Sequence, residues 1–181
     1  MAEKRGKMMG YTYVFTGEGA GKTTNALGLA LRSVGHRHKV VIIQFLKWWN
    51  KTGEYKITDM LKPYYEIHQF GRKGWIGLNN LTEEDRKLCK KGLEFAKEIV
   101  KKKKPNLLIL DEINLTLYCK LLPVDEVIKF LNQTNKISKK TDIVLTGRYA
   151  PEALIDKVDF VNEITDVKHP KKIPTTMGVQ Y

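Results

Sequence analysis

The chain has 181 residues, of which 42% are hydrophobic and 29% charged, a balance that suits one globular domain with a buried core. No apolar segment has the length of a membrane span, and the charged start lacks the apolar region of a signal peptide, so we expect a cytoplasmic protein. Two cysteines, Cys89 and Cys119, are too few for a disulfide framework or a four-cysteine zinc site.

Lysine and arginine give the chain a formal net charge of +12, which is compatible with nucleic-acid binding. The basic residues lie in separate runs at 101–104, 136–140 and 168–172. The first two runs coincide with predicted helix ends, where cations complement the helix dipole. We therefore favour a solvated surface over a nucleic-acid partner, with binding of anionic small molecules as the next candidate.

The chain opens with ten basic and irregular residues, which we interpret as a mobile arm of a single nucleotide-binding domain that covers 1–181. A β-branched and aromatic run at 11–15 predicts a buried strand, and a glycine-rich turn follows it directly. A helix pattern comes next and stops at Gly35. This strand, loop and helix order is typical of a phosphate-binding loop.

The glycine-rich turn has the residue types that phosphate binding requires. Glycines let backbone N–H groups surround anionic oxygens, Lys22 supplies a positive charge, and the Thr23 hydroxyl is a ligand for Mg2+. The loop is one residue shorter than the usual pattern, because Thr16 stands where a glycine is common; a tight structural turn is the alternative. The candidate nucleotide-binding residues are Thr16, Gly17, Glu18, Gly19, Ala20, Gly21, Lys22, Thr23 and Thr24.

The next elements alternate between strand and helix. Residues 39–45 form a continuous apolar run and 65–70 alternate, so both predict strands, separated by a polar and aromatic segment with Trp48 and Trp49. A glycine-punctuated loop at 71–77 follows and is a candidate lip of the site, because ligands gather beyond the carboxyl ends of parallel strands. Thr82 predicts the start of a helix that Pro105 terminates.

A second informative stretch is the apolar run 107–110 followed by Asp111 and Glu112. A strand that ends in acidic residues is how phosphate-loop enzymes bring a carboxylate to the metal, so Asp111, Glu112 and Thr23 are candidate metal ligands. The alternative is that the two acids only cap the helix that follows.

The last part of the chain continues the same alternation. A helix starts at Pro123, and a strand at 143–146 leads to Arg148, which either clamps an anion or packs at the surface. Residues 160–167 predict an outer strand, and the tail to 181 is loop-like. The predicted fold is therefore α/β, with a mostly parallel central sheet and helices on both faces.

Taken in order, these motifs resemble the ATP:corrinoid adenosyltransferases that have a RecA-like phosphate-loop fold. The resemblance runs from Tyr11 to Tyr181. It rests on the short loop with Lys22, the pair Gly74 and Trp75, and the segments 108–114, 145–151, 168–170 and 178–181.

The resemblance implies that reduced cobalt, Co(I), of a corrinoid attacks the 5′ carbon of ATP and expels triphosphate. It implies catalytic roles for Lys22, Thr23 and Glu112, nucleotide or corrinoid contacts for Gly74, Trp75 and Arg148, and Mg2+ at the phosphates. The family also implies that ATP binds with its phosphates in reversed order, that an electron donor reduces the cobalt, and that the protein is a homodimer.

The sequence departs from the family pattern at Ala20, Gly77 and Gln180, which replace a frequent lysine, an aromatic residue and a glutamate. The departures at Gly77 and Gln180 leave a corrinoid-binding protein without turnover as one alternative. A nucleic-acid-stimulated ATPase is another, motivated by the basic balance and the RecA-like layout. A nucleoside kinase of the thymidine type is the third, although it usually carries four zinc-binding cysteines.

Overall fold

The computed structural model describes residues 9–74, 77–172 and 175–180; most of the predicted arm, Trp75 and Tyr181 lie outside these ranges. The sheet has six strands: Thr12–Thr16 (β1), Val40–Phe45 (β2), Tyr65–Phe70 (β3), Leu107–Asp111 (β4), Asp142–Thr146 (β5) and Phe160–Glu163 (β6). Their order is β3-β2-β4-β5-β1-β6, and every neighbouring pair is parallel. The predicted parallel α/β fold is thereby confirmed.

Three long helices connect the strands: Lys22–Gly35 (α1), Glu83–Lys103 (α3) and Val124–Ile137 (α5). The predicted start of α3 is confirmed, because the Thr82 hydroxyl and the Asp85 carboxylate form a capping box. Shorter helices at Gly53–Lys56 (α2), Ile113–Tyr118 (α4) and Glu152–Ile155 (α6) were not predicted. A segment of four to six residues is too short to show a helical hydrophobic period.

The apolar strands are buried on both faces of the sheet. In β2, Val41 and Ile43 pack into the core beneath α3 and α5, whereas Val40 and Ile42 pack against Ala26 and other residues on the opposite face. Helices on both faces therefore explain why the strands are continuously apolar. Among the described residues, no helix combines the length and apolar character needed to cross a membrane.

The outermost strand is shorter than predicted. We predicted residues 160–167, but β6 ends at Glu163 because Ile164 turns to the phosphate loop. The Ile164 N–H donates to the Thr16 carbonyl at 2.9 Å, and the Ile164 carbonyl accepts from the Gly19 N–H at 2.8 Å. The residues after β6 therefore support the loop instead of extending the sheet.

Candidate nucleotide-binding site

The phosphate loop connects β1 to α1 at the carboxyl end of the sheet. Gly17 and Gly21 have φ angles of 96° and 105°, a region that favours glycine. A Cβ atom at Gly17 would lie 2.4 Å from the carbonyl oxygen of Ile164, so only glycine fits there. The Asp166 carboxylate also accepts a hydrogen bond of 3.1 Å from the Ala20 N–H. The loop is thus held from outside by the segment that follows β6.

Lys22 is the first residue of α1 and its side chain folds back over the loop. Its Nζ donates to the carbonyl oxygens of Gly17 at 2.7 Å and Gly19 at 2.5 Å. Burial and the nearby guanidinium of Arg148 lower the pKa of Lys22 from its usual value. The ammonium therefore lies among the backbone groups that would surround a phosphate, bound to carbonyls that an anion can replace.

Asp111 is the centre of a buried hydrogen-bond network. Its Oδ1 accepts from the hydroxyls of Thr23 at 2.8 Å and Thr146 at 2.6 Å. Its Oδ2 accepts from Gln44 at 3.0 Å and from the ammonium of Lys47 at 2.7 Å. Burial alone raises the pKa of Asp111, but Lys47 and the hydroxyl donors outweigh it, so the pKa lies below its usual value. Asp111 is an anion with a full set of partners.

Glu112 follows directly but is placed differently. Its backbone has a φ of 62°, and its N–H donates to the Thr146 hydroxyl at 3.0 Å. Its carboxylate lines the cavity in front of the loop. Burial and the adjacent Asp111 charge raise the pKa of Glu112 above its usual value. The environments of these adjacent acids therefore shift their pKa values in opposite directions, down for Asp111 and up for Glu112.

A cavity of about 360 Å³ opens in front of the loop. It brings together eight of the predicted site residues with three that were not predicted. The lining residues are Gly19, Ala20, Gly21, Lys22, Thr23, Thr24, Glu112 and Arg148 from the predicted set, and Leu78, Leu115 and Tyr149 from outside it.

Arg148 reaches this cavity from the end of β5. Its Nε lies 3.6 Å from a carboxylate oxygen of Glu18, and both side chains are about half-exposed or more. Such an exposed pair is weak, so the guanidinium is free to move to a stronger anionic partner. Glu18 therefore stands at the rim, beside Arg148, and does not line the cavity among the described residues.

The remaining predicted residues lie apart from the cavity. The Thr16 hydroxyl accepts a hydrogen bond of 3.2 Å from the Ala150 N–H, which ties the start of the loop to the segment after β5. Gly17 packs on Ile164, and Asp111 lies behind Thr23. Gly74 is exposed, with a φ of 80°, and its neighbour Trp75 is outside the described residues.

Sequence reasoning missed Lys47 and Thr146, which hold Asp111. Both occur at the carboxyl ends of strands, Thr146 as the last residue of β5 and Lys47 two residues after β2. That position was the available signal, since ligand-binding residues collect there in parallel sheets. Nothing in the sequence of segment 164–166 indicates that it supports the loop, because its hydrogen bonds to Gly19 and Ala20 form only when the fold brings the two segments together.

The donor set defines what the site can hold. Thr23, Asp111 and Glu112 offer a hydroxyl and two carboxylates, which are hard oxygen donors suited to a magnesium ion that also binds phosphate oxygens and water. Among the parts of the chain that the structure describes, no group of three histidine, cysteine or acidic side chains could hold a metal alone.

We expect Glu112→Gln to raise the free energy of unfolding by about 1 kcal/mol at neutral pH, as often happens when a functional site is relieved of an unfavourable group. The raised pKa of Glu112 means that its stabilising contribution is present at low pH and lost as the pH rises through the folded-state pKa. The gain should therefore vanish below about pH 4, where the unfolded carboxyl is protonated too. Urea unfolding from pH 3 to 8 measures it, with the exposed Glu126→Gln as control. A loss of stability at pH 7 would contradict the prediction.

Comparison with known proteins extends this description beyond the site. Residues 8–181 match the family of ATP:corrinoid adenosyltransferases described as BtuR/CobO/CobP. A corrinoid adenosyltransferase from a Sinorhizobium species is 33% identical over 177 residues, which cover 95% of this chain and 80% of that protein. The corrinoid adenosyltransferase CobA of Salmonella typhimurium is 32% identical and is covered to 86% of its length.

Among solved structures, the flagellar accessory protein FlaH from Methanocaldococcus jannaschii has a TM-score of 0.56 at 15% identity. The likeness covers 87% of this chain and 72% of that one, and it concerns the fold alone. The family match and the two relatives confirm the family that the motifs predicted. This chain belongs to the ATP:corrinoid adenosyltransferases.

Proposed function

We propose that this protein transfers the 5′-deoxyadenosyl group of ATP to the Co(I) centre of a corrinoid and releases triphosphate. The observation that carries the proposal is a cavity at the phosphate loop that Lys22 and Arg148 line, in a chain that belongs to this family. Lys22, Arg148 and the N–H groups in the first turn of α1 suit a highly charged anion.

The reaction makes a cobalt–carbon bond and breaks the bond between C5′ and its ester oxygen. Cobalt supplies the electron pair, and the pair of the broken bond leaves with the triphosphate. Negative charge therefore increases on the leaving group, and fixed donors that face it lower the barrier. Lys22 and Arg148 are the side chains that supply positive charge in this cavity. No covalent protein nucleophile is required, so catalysis consists of positioning and electrostatic stabilisation.

Magnesium is part of the proposal because the donor set fits it. Thr23 and Glu112 line the cavity, and the Asp111 carboxylate accepts a hydrogen bond from the Thr23 hydroxyl. When bound with ATP, Mg2+ neutralises charge on the phosphate oxygens. We propose Thr23 and Glu112 as residues that hold it directly or through water, and Asp111 as the residue that orients Thr23.

Four further features stay predictions, of which three follow from the family resemblance and the last, the cellular location, from the composition of the sequence. An electron donor must reduce the cobalt before transfer. The Gly74 and Trp75 loop contacts the nucleotide or the corrinoid. The protein is a homodimer, which sedimentation would measure. It works in the cytoplasm, which localisation of the tagged protein would test.

The proposed reaction is tested by its products. Purified protein, a corrinoid reduced to Co(I), Mg2+ and ATP should give a light-sensitive adenosyl corrinoid and intact triphosphate. ADP and orthophosphate without a cobalt–carbon bond would overturn the proposal in favour of an ATPase. ATP binding with no transfer under strong reductant would instead indicate a corrinoid-binding protein without turnover.

A further inference from the structure

Lys47 lies beside the phosphate loop but outside the cavity. Its Nζ is 2.7 Å from Oδ2 of Asp111 and 3.3 Å from Oγ1 of Thr23. It lines a neighbouring cavity of about 380 Å³ with Trp48 and Trp49, and it is not among the described residues that line the phosphate cavity. Its ammonium therefore contacts both Thr23 and Asp111 without belonging to the lining of the phosphate cavity.

The backbone that carries Lys47 is held in an uncommon conformation. The preceding residue, Leu46, has a φ of 59°, is 2% exposed and donates its N–H to the Phe70 carbonyl at 3.1 Å. A left-handed conformation is unfavourable for a residue with a side chain such as leucine. A Cβ atom at Gly71 would lie 2.4 Å from the backbone nitrogen of Lys47, so the turn is packed tightly. Strain that is kept in place by packing often marks a functional position.

The hydrogen-bond inventory fixes the direction of the Thr23 hydroxyl. Lys47 can only donate, so Thr23 Oγ1 must accept from it. The carboxylate of Asp111 can only accept, so the single proton of Thr23 must point to Asp111 Oδ1, at 2.8 Å. One acceptor position remains on the Thr23 oxygen, and Thr23 is among the residues that line the phosphate cavity. Lys47 and Asp111 together therefore leave one lone pair for a ligand.

We infer that Lys47 is a positioning residue that turns the Thr23 hydroxyl oxygen toward the triphosphate and its Mg2+. The inference rests on the proposed function only in taking Mg2+ and ATP as the ligands of this site. Because Lys47 is not among the described residues that line the phosphate cavity, its removal should weaken the contribution of the metal and leave the binding of the phosphates by the loop unchanged.

The test compares ATP affinity with Mg2+ and with EDTA, measured by calorimetry without a corrinoid. Partners that orient a metal ligand are commonly worth tenfold or more in metal affinity, so Lys47→Gln should reduce the Mg2+-dependent gain in ATP affinity by about tenfold. Metal-free ATP affinity should change by less than about twofold, and Lys47→Arg, which keeps the charge, should recover part of the gain. Lys51→Gln removes an exposed lysine from the same segment and should leave the gain intact.

Two outcomes overturn the inference. An equal loss of affinity with and without Mg2+ would mean that Lys47 binds phosphate or acts through general charge, and an unchanged gain would mean that it is only structural. If Lys47→Gln does not fold, Lys47→Met with Asp111→Asn removes both charges and leaves no unpaired one. Retention of the gain in that double variant would also overturn it. Failure of the proposed reaction would appear separately, as absence of adenosyl corrinoid from the unmodified protein.

Discussion

We expect Lys22→Ala to lower the rate of adenosyl transfer by about a hundredfold to a thousandfold, the range seen when a donor to developing negative charge is removed. Lys22 places its charge at the centre of the phosphate loop, where we propose that the triphosphate leaves. Because that charge matters most as the bond to C5′ breaks, the turnover number should fall more than ATP affinity. Single-turnover formation of the adenosyl corrinoid, followed by its absorbance, measures the effect.

The fold should tolerate this substitution. Among the described residues, the Lys22 ammonium donates only to carbonyls of its own loop, at Gly17 and Gly19, and water that enters the open cavity can replace it as the donor. We expect a loss of about 1 kcal/mol in the free energy of unfolding, the usual value for one hydrogen-bonded group. Lys51→Ala, at an exposed position, is the matched control. Near-normal transfer by Lys22→Ala would refute the role assigned to the ammonium.

Asp111→Ala should give the largest loss of stability, about 3–5 kcal/mol, the range for a buried ion pair that loses one partner. The substitution leaves the Lys47 ammonium without its carboxylate and removes the acceptor for Thr23, Thr146 and Gln44. Denaturant unfolding at pH 7 measures the loss. Asp156→Ala, on the exposed surface at the end of α6, should change stability by less than about 0.5 kcal/mol.

The pH dependence of Asp111 separates its charge from its shape. Because its folded-state pKa is lowered, its contribution is present above the unfolded pKa and is lost as the pH falls through the folded value. Asp111→Asn keeps the volume, so its deficit relative to the unmodified protein should be full at pH 7 and shrink below about pH 4. A deficit that stayed constant down to pH 2 would show that packing, not charge, is responsible.

The strands and long helices could be predicted from the sequence because each has a recognisable pattern of apolar residues. The run from Val40 to Phe45 is apolar apart from Gln44 and predicts a buried strand. Thr82 and Asp85 predict the start of α3. The loop glycines, Lys22 and Thr23 were found in the same way, because their chemistry is concentrated in a few consecutive residues.

The remainder of the site could not be predicted, because it depends on contacts between distant segments. Lys47 meets Asp111 across 64 residues, and Ala20 meets Asp166 across 146. Adjacent residues can also diverge: the backbone turn at Glu112 separates its carboxylate from that of Asp111, and no local pattern signals that turn. The roles of the individual side chains stay predictions until variants are measured.

The short strand β6 lies at the edge of the sheet, is exposed along its length, and leads into the residues that hold the phosphate loop. Edge strands open more readily than central ones, since they have one neighbour instead of two. The shape of the loop is thus tied to one of the least protected segments of the fold. A substitution in β6 that opens this strand should therefore weaken nucleotide binding at the loop, while the hydrophobic core stays intact.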